Sequence, residues 1–433
     1  MVKTLFDTIY EGYAYSYPHK HSYRRLNNLA LPLLWEKEKK DALFLYLHLP
    51  FCEMRCGFCN LFTIANPQAN MVDDYLNTLA REAAAIKEQI NPQSFGQMAV
   101  GGGTPTFLHW QQLEKLFTIV RQLGAQPENM PASVEVSPAT VTREKLSLLN
   151  EQGVDRISMG VQSFLESEVK ALGRPQENKE VYAALDLIKQ YPFAAINIDL
   201  IYGTYGQTLS SWLHSVQEVI RYNVEEVFIY PLYVRPLTGI TKLKQQQDDN
   251  RFIFYREAKQ MLVAAGYKQV SMRMFQKKGI TQKRPVRSYS CQEDGMIGLG
   301  AGARSYTKTV HYSSEYAVAR QNIRSIIQQY ITRPNFKEVD YGIELNMEEQ
   351  QRRFVIKSIL HNGGLDLERY SALYEHDALE EFPLLAELIK ADMAVLQNGI
   401  LQLTSTGLDY SDAIGPALYS EPIKQLITEF ELQ

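Results

Sequence analysis

The strongest constraint in this sequence is a rhythm. Strand-length apolar runs alternate with segments whose apolar residues recur at helical spacing. ALFLYLHLPF (42–51) precedes the helical 71–90, QMAVGGGTPTFL (97–108) precedes Trp110 to Leu123, and ASVEVSP (132–138) precedes TREKLSLLNEQG (142–153). RISMGVQSF (156–164) precedes 177–190, AINIDLIYG (195–203) precedes 208–222, and EVFIYPLYV (226–234) closes the series. Such alternation predicts a parallel sheet with helices outside it. Six units fall short of a complete TIM barrel. The expected fold class is therefore α/β, a partial (β/α)6 TIM-like barrel. Glycine and polar residues follow the strands, at the ends where α/β barrels place their chemistry.

The rhythm sets four expected regions. Residues 1–42 form a Tyr-rich basic arm, 43–240 the partial barrel, 241–340 an extension of it, and 341–433 a C-terminal helical, winged-helix-like domain. In the extension, 248–266 reads as a helix, YKQVSMRMF (267–275) as one strand, and MIGLGAGARSY (296–306) as a strand with a glycine turn. The last region holds 16 acidic and 6 basic side chains, which speaks against nucleic-acid binding by its winged-helix-like part. There is no apolar run long enough for a membrane span, and MVKTLFDTIYEGYAYSYPHK lacks the apolar core of a signal peptide. The expected location is the cytoplasm.

Three of the four cysteines, Cys52, Cys56 and Cys59, crowd into HLPFCEMRCGFCN. In a reducing compartment a tight cluster means metal or redox chemistry rather than a disulfide framework. Structural zinc takes four protein ligands, and four-cysteine iron–sulfur sites are closed. Three cysteines after the first strand leave a coordination position for something else. The alternative is a zinc knob completed by His48 or Cys291. Cys291, in SYSCQED, is otherwise read as structural or incidental.

The motif, with Phe58 before its last cysteine, resembles the radical S-adenosylmethionine (SAM) superfamily. GGGTPTFL (101–108), VEVSP (134–138), RISMGVQSF, ALGRPQ (171–176) and NIDLIYG (197–203) follow in order. Together they look like the oxygen-independent coproporphyrinogen III oxidase group, which also holds heme chaperones and two-SAM methyltransferases. The resemblance implies a [4Fe–4S] cluster on Cys52, Cys56 and Cys59. Its open iron would chelate SAM, whose reductive cleavage gives a radical that abstracts hydrogen from the substrate. It implies that Gly102, Gly103 and Thr104, in the glycine loop, meet the cofactor's amino group, and that Tyr46 touches the same molecule. Glu135, facing away from Val134 and Val136, would serve the ribose hydroxyls or amino group. Gln162, Arg174 and Asp199, with the glycine loop and Phe58, are associated in the oxidase with a second SAM. Asp199 lies in an apolar strand, where an unpaired charge is costly. The plainer readings are a salt-bridged strand acid for Glu135 and a core tyrosine for Tyr46.

The sequence also departs from that group. The genuine oxidase has a further, required cysteine two residues after the third ligand; here Cys59 is followed by Asn60 and Leu61. Tyr205 stands where relatives have proline. The expected substrate is a small molecule, a tetrapyrrole or another acidic multi-ring compound, with an electron donor such as flavodoxin or ferredoxin. Arg24, Arg25, Lys277, Lys278, Lys283 and Arg284 are candidate cations for it, or simply a solvated face. A non-catalytic heme-binding chaperone and a two-SAM methyltransferase are the alternatives. No residue is assigned as catalytic.

Overall fold

The computed structural model describes residues 9–14, 16–68, 70–174, 176–239, 249–277, 279–280 and 287–431. Six parallel strands run in chain order across the centre of one sheet: β1 (Leu43–Leu49), β2 (Phe95–Gly102), β3 (Ala132–Val136), β4 (Arg156–Gln162), β5 (Ala195–Tyr202) and β6 (Glu226–Pro231). The (β/α)6 arrangement is thus the observed one. Buried Leu43, Leu45, Leu47 and Leu49 line one face of β1 and Ile196, Ile198 and Leu200 one face of β5, while the alternating positions carry Tyr46 and His48, and Asn197 and Asp199.

The helices between them follow ordinary capping rules. Met71–Ile90 carries Asp73 and Asp74 in its first turn and Lys87 in its last, charges that suit the helix dipole. Trp110–Leu123 opens on a capping box between His109 and Gln112 and ends at Gly124.

The sheet is not limited to the barrel. β7 (Met296–Leu299) adds parallel to β1, and β8 (Arg304–Tyr306), β9 (Val310–Ser313) and β10 (Glu338–Glu344) continue antiparallel beyond it. The arm supplies the last strand on that side, Arg24–Ala30 on β10. At the other edge the expected single strand 267–275 is instead a hairpin, Tyr267–Gln269 against Met274–Lys277. The chain turns there because Met274 N–H bonds Ser271 Oγ at 3.2 Å.

The C-terminal part has its own core, built on Phe354, Tyr370, Leu385, Leu388 and Leu401. Helices Met347–Ile359, Leu367–Tyr374 and Pro383–Lys390 precede a hairpin, Ala394–Gln397 with Ile400–Leu403, whose Asn398–Gly399 turn has positive φ at both residues. Leu365–Asp366 completes a three-stranded wing. Tyr17 and Tyr23 of the arm are buried in this second core. No helix among the described residues is long and apolar enough to cross a membrane.

Arg273 joins the two cores. Its guanidinium meets the Asp412 carboxylate through both nitrogens, 2.7 Å on one side, with the side chains only 4% and 1% exposed. Tyr233 Oη donates to the same carboxylate at 2.6 Å, and the Tyr13 ring lies 3.7 Å from the guanidinium carbon. Barrel extension, arm and C-terminal part thus share one buried charge pair. Removing one partner of such a pair strands the other, at a cost of about 3–5 kcal/mol. Asp412→Asn is expected to lose stability of that order in urea denaturation; a loss indistinguishable from zero would show that the pair does not tie the cores together.

Candidate functional site

The strand ends open into a cavity of 1410 Å³. Its floor is the C-terminal end of the barrel. Its roof comes from the arm (Tyr13, Tyr17, Lys20), from β8, β9 and the loop after them (Arg304, His311, Tyr316), and from the C-terminal part (Arg353, Lys357, Tyr419). Every residue named from the sequence as a cofactor or cluster contact lines this one cavity: Tyr46, Cys52, Cys56, Phe58, Cys59, Gly102, Gly103, Thr104, Glu135, Gln162, Arg174 and Asp199.

The cysteine loop is held at both ends. At its start, Gly103 N–H donates to Leu49 O at 2.7 Å and Thr104 N–H to Phe51 O at 2.8 Å, so the glycine loop after β2 continues the pairing with β1 past the strand end. A Cβ on Gly103 would stand 2.4 Å from Phe51 O and 2.9 Å from Cys52 Sγ, so only glycine lets the strands approach this closely. Gly102 has φ +111°, and a Cβ there would strike the His48 ring at 2.7 Å. At the other end, Gly57 N–H donates to Leu172 O at 2.9 Å. Phe58 packs into a small apolar cluster with Leu172, Ile201 and Leu232, which Tyr205 and Tyr230 join.

The three thiols are free and partly exposed to the cavity. Thr104 Oγ1 lies 3.8 Å from Cys52 Sγ, Thr63 Oγ1 3.8 Å from Cys59 Sγ, and Arg174 Nη1 3.8 Å from Cys56 Sγ. Burial, then the neighbouring Cys59, pushes the Cys52 thiol up to about 12. Thiolates in such a place need metal cations to balance them, and a soft, all-sulfur donor set suits iron in a sulfide cluster. The residues present fit that group. The zinc alternative fits less well. Among the described residues no three His, Cys, Asp or Glu side chains gather as a single ion requires. His48 is occupied at both ring nitrogens, by Tyr46 Oη at 3.2 Å and Phe62 O at 2.9 Å. Cys291 also lines the cavity, its thiol 3.3 Å from Gln292 Oε1.

Beside the thiols the barrel presents acids. Val134 and Val136 face the core, and Glu135 projects from the opposite face of β3 into the cavity. It accepts from Gly102 N–H at 3.3 Å. Enclosure by the barrel, then the charge of Asp199, pushes its carboxyl up to about 7. Asp199 is the one half-buried position of β5. Asn197 Nδ2 donates to it at 2.8 Å, and burial still raises its carboxyl to about 6. The donor it meets in its apolar strand is thus a neutral amide. Gln162 ends β4 with φ +71°, where the register with β5 shifts. Arg174 is clamped by Gly160 O at 2.8 Å and Gln176 Oε1 at 2.9 Å.

Cations face these acids from the roof, and they are not the ones the sequence suggested. Arg24 is spent on backbone carbonyls of His21, Tyr23 and Leu426; Arg25 pairs with Glu315 and Asp340 at the surface; Lys277 donates to Asn223. Lys278, Lys283 and Arg284 lie outside the described residues. The cavity is lined instead by Lys20, Arg235, Arg304, Arg353 and Lys357. Only Lys20 was within reach of sequence reasoning, as part of the basic arm. Arg235, Arg304 and the helix pair Arg353 and Lys357 come from separate parts of the chain, and only folding gathers them.

A raised carboxyl makes a testable contribution to stability. Unfolded Glu135 ionises near its ordinary value, while the folded residue keeps its proton to about 7. Native stability therefore falls as pH rises through that window and the cost is fully present above it. Glu135→Gln is expected to match the parent at pH about 4 and to be more stable at pH about 8.5 in urea titrations. A variant no more stable at the higher pH contradicts the assigned environment.

Residues 46–219 match the Radical SAM superfamily. The heme chaperone HemW of Bacillus subtilis is 28% identical over 375 residues, 84% of this chain and 95% of that protein. The oxygen-independent coproporphyrinogen III oxidase of Escherichia coli is 28% identical over 385 residues, 84% of this chain and 82% of the oxidase. The solved structure of the Escherichia coli coproporphyrinogen III oxidase, described as a radical SAM enzyme, superposes with a TM-score of 0.78 at 23% identity, covering 94% of this chain and 96% of that one. The superfamily uses a [4Fe–4S] cluster and SAM, the cofactors that the cysteine spacing and its resemblance led us to expect. Three clustered thiols at the mouth of a partial barrel, with a laced glycine loop beside them, thus lie within the segment that matches the Radical SAM superfamily, in a chain similar along most of its length to HemW and to the oxygen-independent coproporphyrinogen III oxidase.

Proposed function

We propose that the protein is a radical SAM enzyme acting on an acidic, multi-ring small molecule of the tetrapyrrole class. One observation carries this reading. Thiols, glycine loop and carboxylates converge at the barrel end of a 1410 Å³ cavity whose roof is cationic and rich in tyrosine. When bound, the cluster and SAM supply an electron and a carbon-centred radical that takes a hydrogen atom from the substrate.

The chain's own residues do the rest. Cys52, Cys56 and Cys59 hold the cluster, and Arg174 lends positive charge beside Cys56. Gly102–Thr104 give the nucleoside cofactor a backbone wall without side-chain interference. Glu135 is the acceptor for its amino or hydroxyl groups, and Tyr46 flanks the same position. Gln162, Asp199 and Phe58 line the adjoining space, where a second SAM or the substrate itself sits. The arm is fastened beside the cavity: Tyr17 is buried and donates to Glu349. Lys20, Arg235 and Arg304 supply the charge that draws in an anionic substrate. An electron donor such as flavodoxin or ferredoxin would serve the cluster.

A second reading is a heme-binding protein of chaperone type. It is supported by the likeness to HemW and by Asn60–Leu61 following Cys59. The two readings separate in one anaerobic experiment on the iron-loaded protein. With dithionite and SAM, 5′-deoxyadenosine is expected, and Cys56→Ala is expected to lose both the bound iron and the product. Saturable heme binding without any SAM cleavage would instead favour the chaperone. S-adenosylhomocysteine formed alongside 5′-deoxyadenosine would make the reaction a methyl transfer.

A further inference from the structure

Strand β9 turns alternate side chains to opposite faces of the sheet. Val310 and Tyr312 join the barrel core, where Tyr312 Oη accepts from Trp35 Nε1 at 3.0 Å. His311 and Ser313 line the cavity instead, together with Tyr306 and Arg304, their partners on β8. His311 is 1% exposed, yet neither of its ring nitrogens has a hydrogen-bond partner. Buried polar groups are nearly always paired, so an imidazole left with two unmet atoms on a cavity wall calls for an explanation. Tyr306 lies tilted against the ring, centroids 4.3 Å apart, and offers it no substitute for a hydrogen bond at nitrogen.

Burial, then the charges of Arg353, Arg304 and Lys357, holds this imidazole well below its ordinary range. It is therefore neutral and keeps one N–H and one lone pair. A neutral imidazole is the commonest protein ligand for a metal ion. The chain does not build a complete metal site around it, since among the described residues no three His, Cys, Asp or Glu side chains gather as an ion requires. A single imidazole suits a metal that arrives with its other donors already in place. The iron of a heme is such a metal: the macrocycle fills the equatorial positions and the protein supplies an axial one.

The surroundings suit the rest of that molecule. The cavity, at 1410 Å³, is larger than the roughly 300–1,000 Å³ of an ordinary small-molecule pocket. A macrocycle therefore has room beside a nucleoside cofactor. Tyr289 and Tyr306 line the cavity with aromatic rings against which a flat ligand can pack. Arg304 and Arg353 line it too, with guanidinium groups that match ring carboxylates in shape and charge. We propose that His311 is an axial ligand to the iron of a heme bound in this cavity, with one ring nitrogen giving its lone pair to the metal. The assignment rests on the reading above, that a tetrapyrrole enters the cavity, and narrows that class to tetrapyrroles carrying iron. It also sets the macrocycle against β8 and β9, across the cavity from the strand ends of the barrel.

The test titrates full-length, cluster-loaded protein with hemin and, separately, with metal-free protoporphyrin IX. The oxidised cluster is diamagnetic, so electron paramagnetic resonance of the ferric heme reports its axial ligand. Hemin is expected to bind saturably, more tightly than the metal-free ring, and with the Soret band and resonance of a histidine-ligated ferric heme. His311→Gln is expected to weaken hemin binding by about tenfold or more, to abolish that signature, and to leave the affinity for the metal-free ring unchanged. Added imidazole is expected to restore the signature in that variant. His311→Met serves if the glutamine variant does not fold. An iron spectrum unchanged in a folded His311 variant, or hemin held no more tightly than the metal-free ring, overturns the ligand and leaves the tetrapyrrole reading in place. Binding of neither porphyrin overturns both. Reductive SAM cleavage is measured on the same protein: heme ligated by His311 without any cleavage upholds the ligand and removes the enzymatic reading.

Discussion

The site depends on two backbone hydrogen bonds. Gly103 to Leu49 and Thr104 to Phe51 extend the β1–β2 pairing beyond the point where the strands would otherwise part. They hold Cys52 against the glycine loop and so fix where the cysteine loop begins. Side chains at Gly102 or Gly103 would collide with His48 or with Phe51 and Cys52. The Gly57–Leu172 bond and the Phe58 cluster then pin the far end. The three thiols are thereby presented together from a loop that has little regular structure of its own, next to the carboxylates that β3 and β5 carry.

The second organising feature is a division of charge. The barrel contributes Glu135 and Asp199, both raised by enclosure. The roof contributes lysine and arginine from the arm, from β8 and from the C-terminal part. These parts are far apart in the chain, and the Arg273–Asp412 pair with Tyr13 and Tyr233 keeps them in register. A cofactor bearing amino and hydroxyl donors suits the floor, and an anionic substrate suits the roof. On the proposed function, that polarity would orient the two ligands relative to each other.

The barrel was legible in the sequence because its signals are local. Apolar runs and helical spacing marked Met71–Ile90 and Trp110–Leu123 to the residue. The cysteine motif was legible for the same reason, since its ligands lie on one loop. The hairpin at 267–277 was not, because a turn at Ser271 interrupts a segment of mixed apolar and polar residues that reads as one continuous strand. The roof was least legible. Arg235, Arg304, Arg353 and His311 come from separate elements with no shared motif, and their meaning is only in their convergence. The arm's basic residues carried two readings, and the surface one holds for Arg25: Arg24 and Arg25 are adjacent in sequence yet are consumed by carbonyls and surface acids.

The central claim is that three thiols hold an iron–sulfur cluster with one corner open to SAM. Its most direct test is electron paramagnetic resonance of the dithionite-reduced, anaerobically purified protein, recorded with and without SAM. The account predicts a reduced [4Fe–4S] signal that changes shape when SAM is added, because the cofactor ligates the open iron. A spectrum indifferent to SAM, or a protein that carries zinc in place of iron and sulfide, would contradict it.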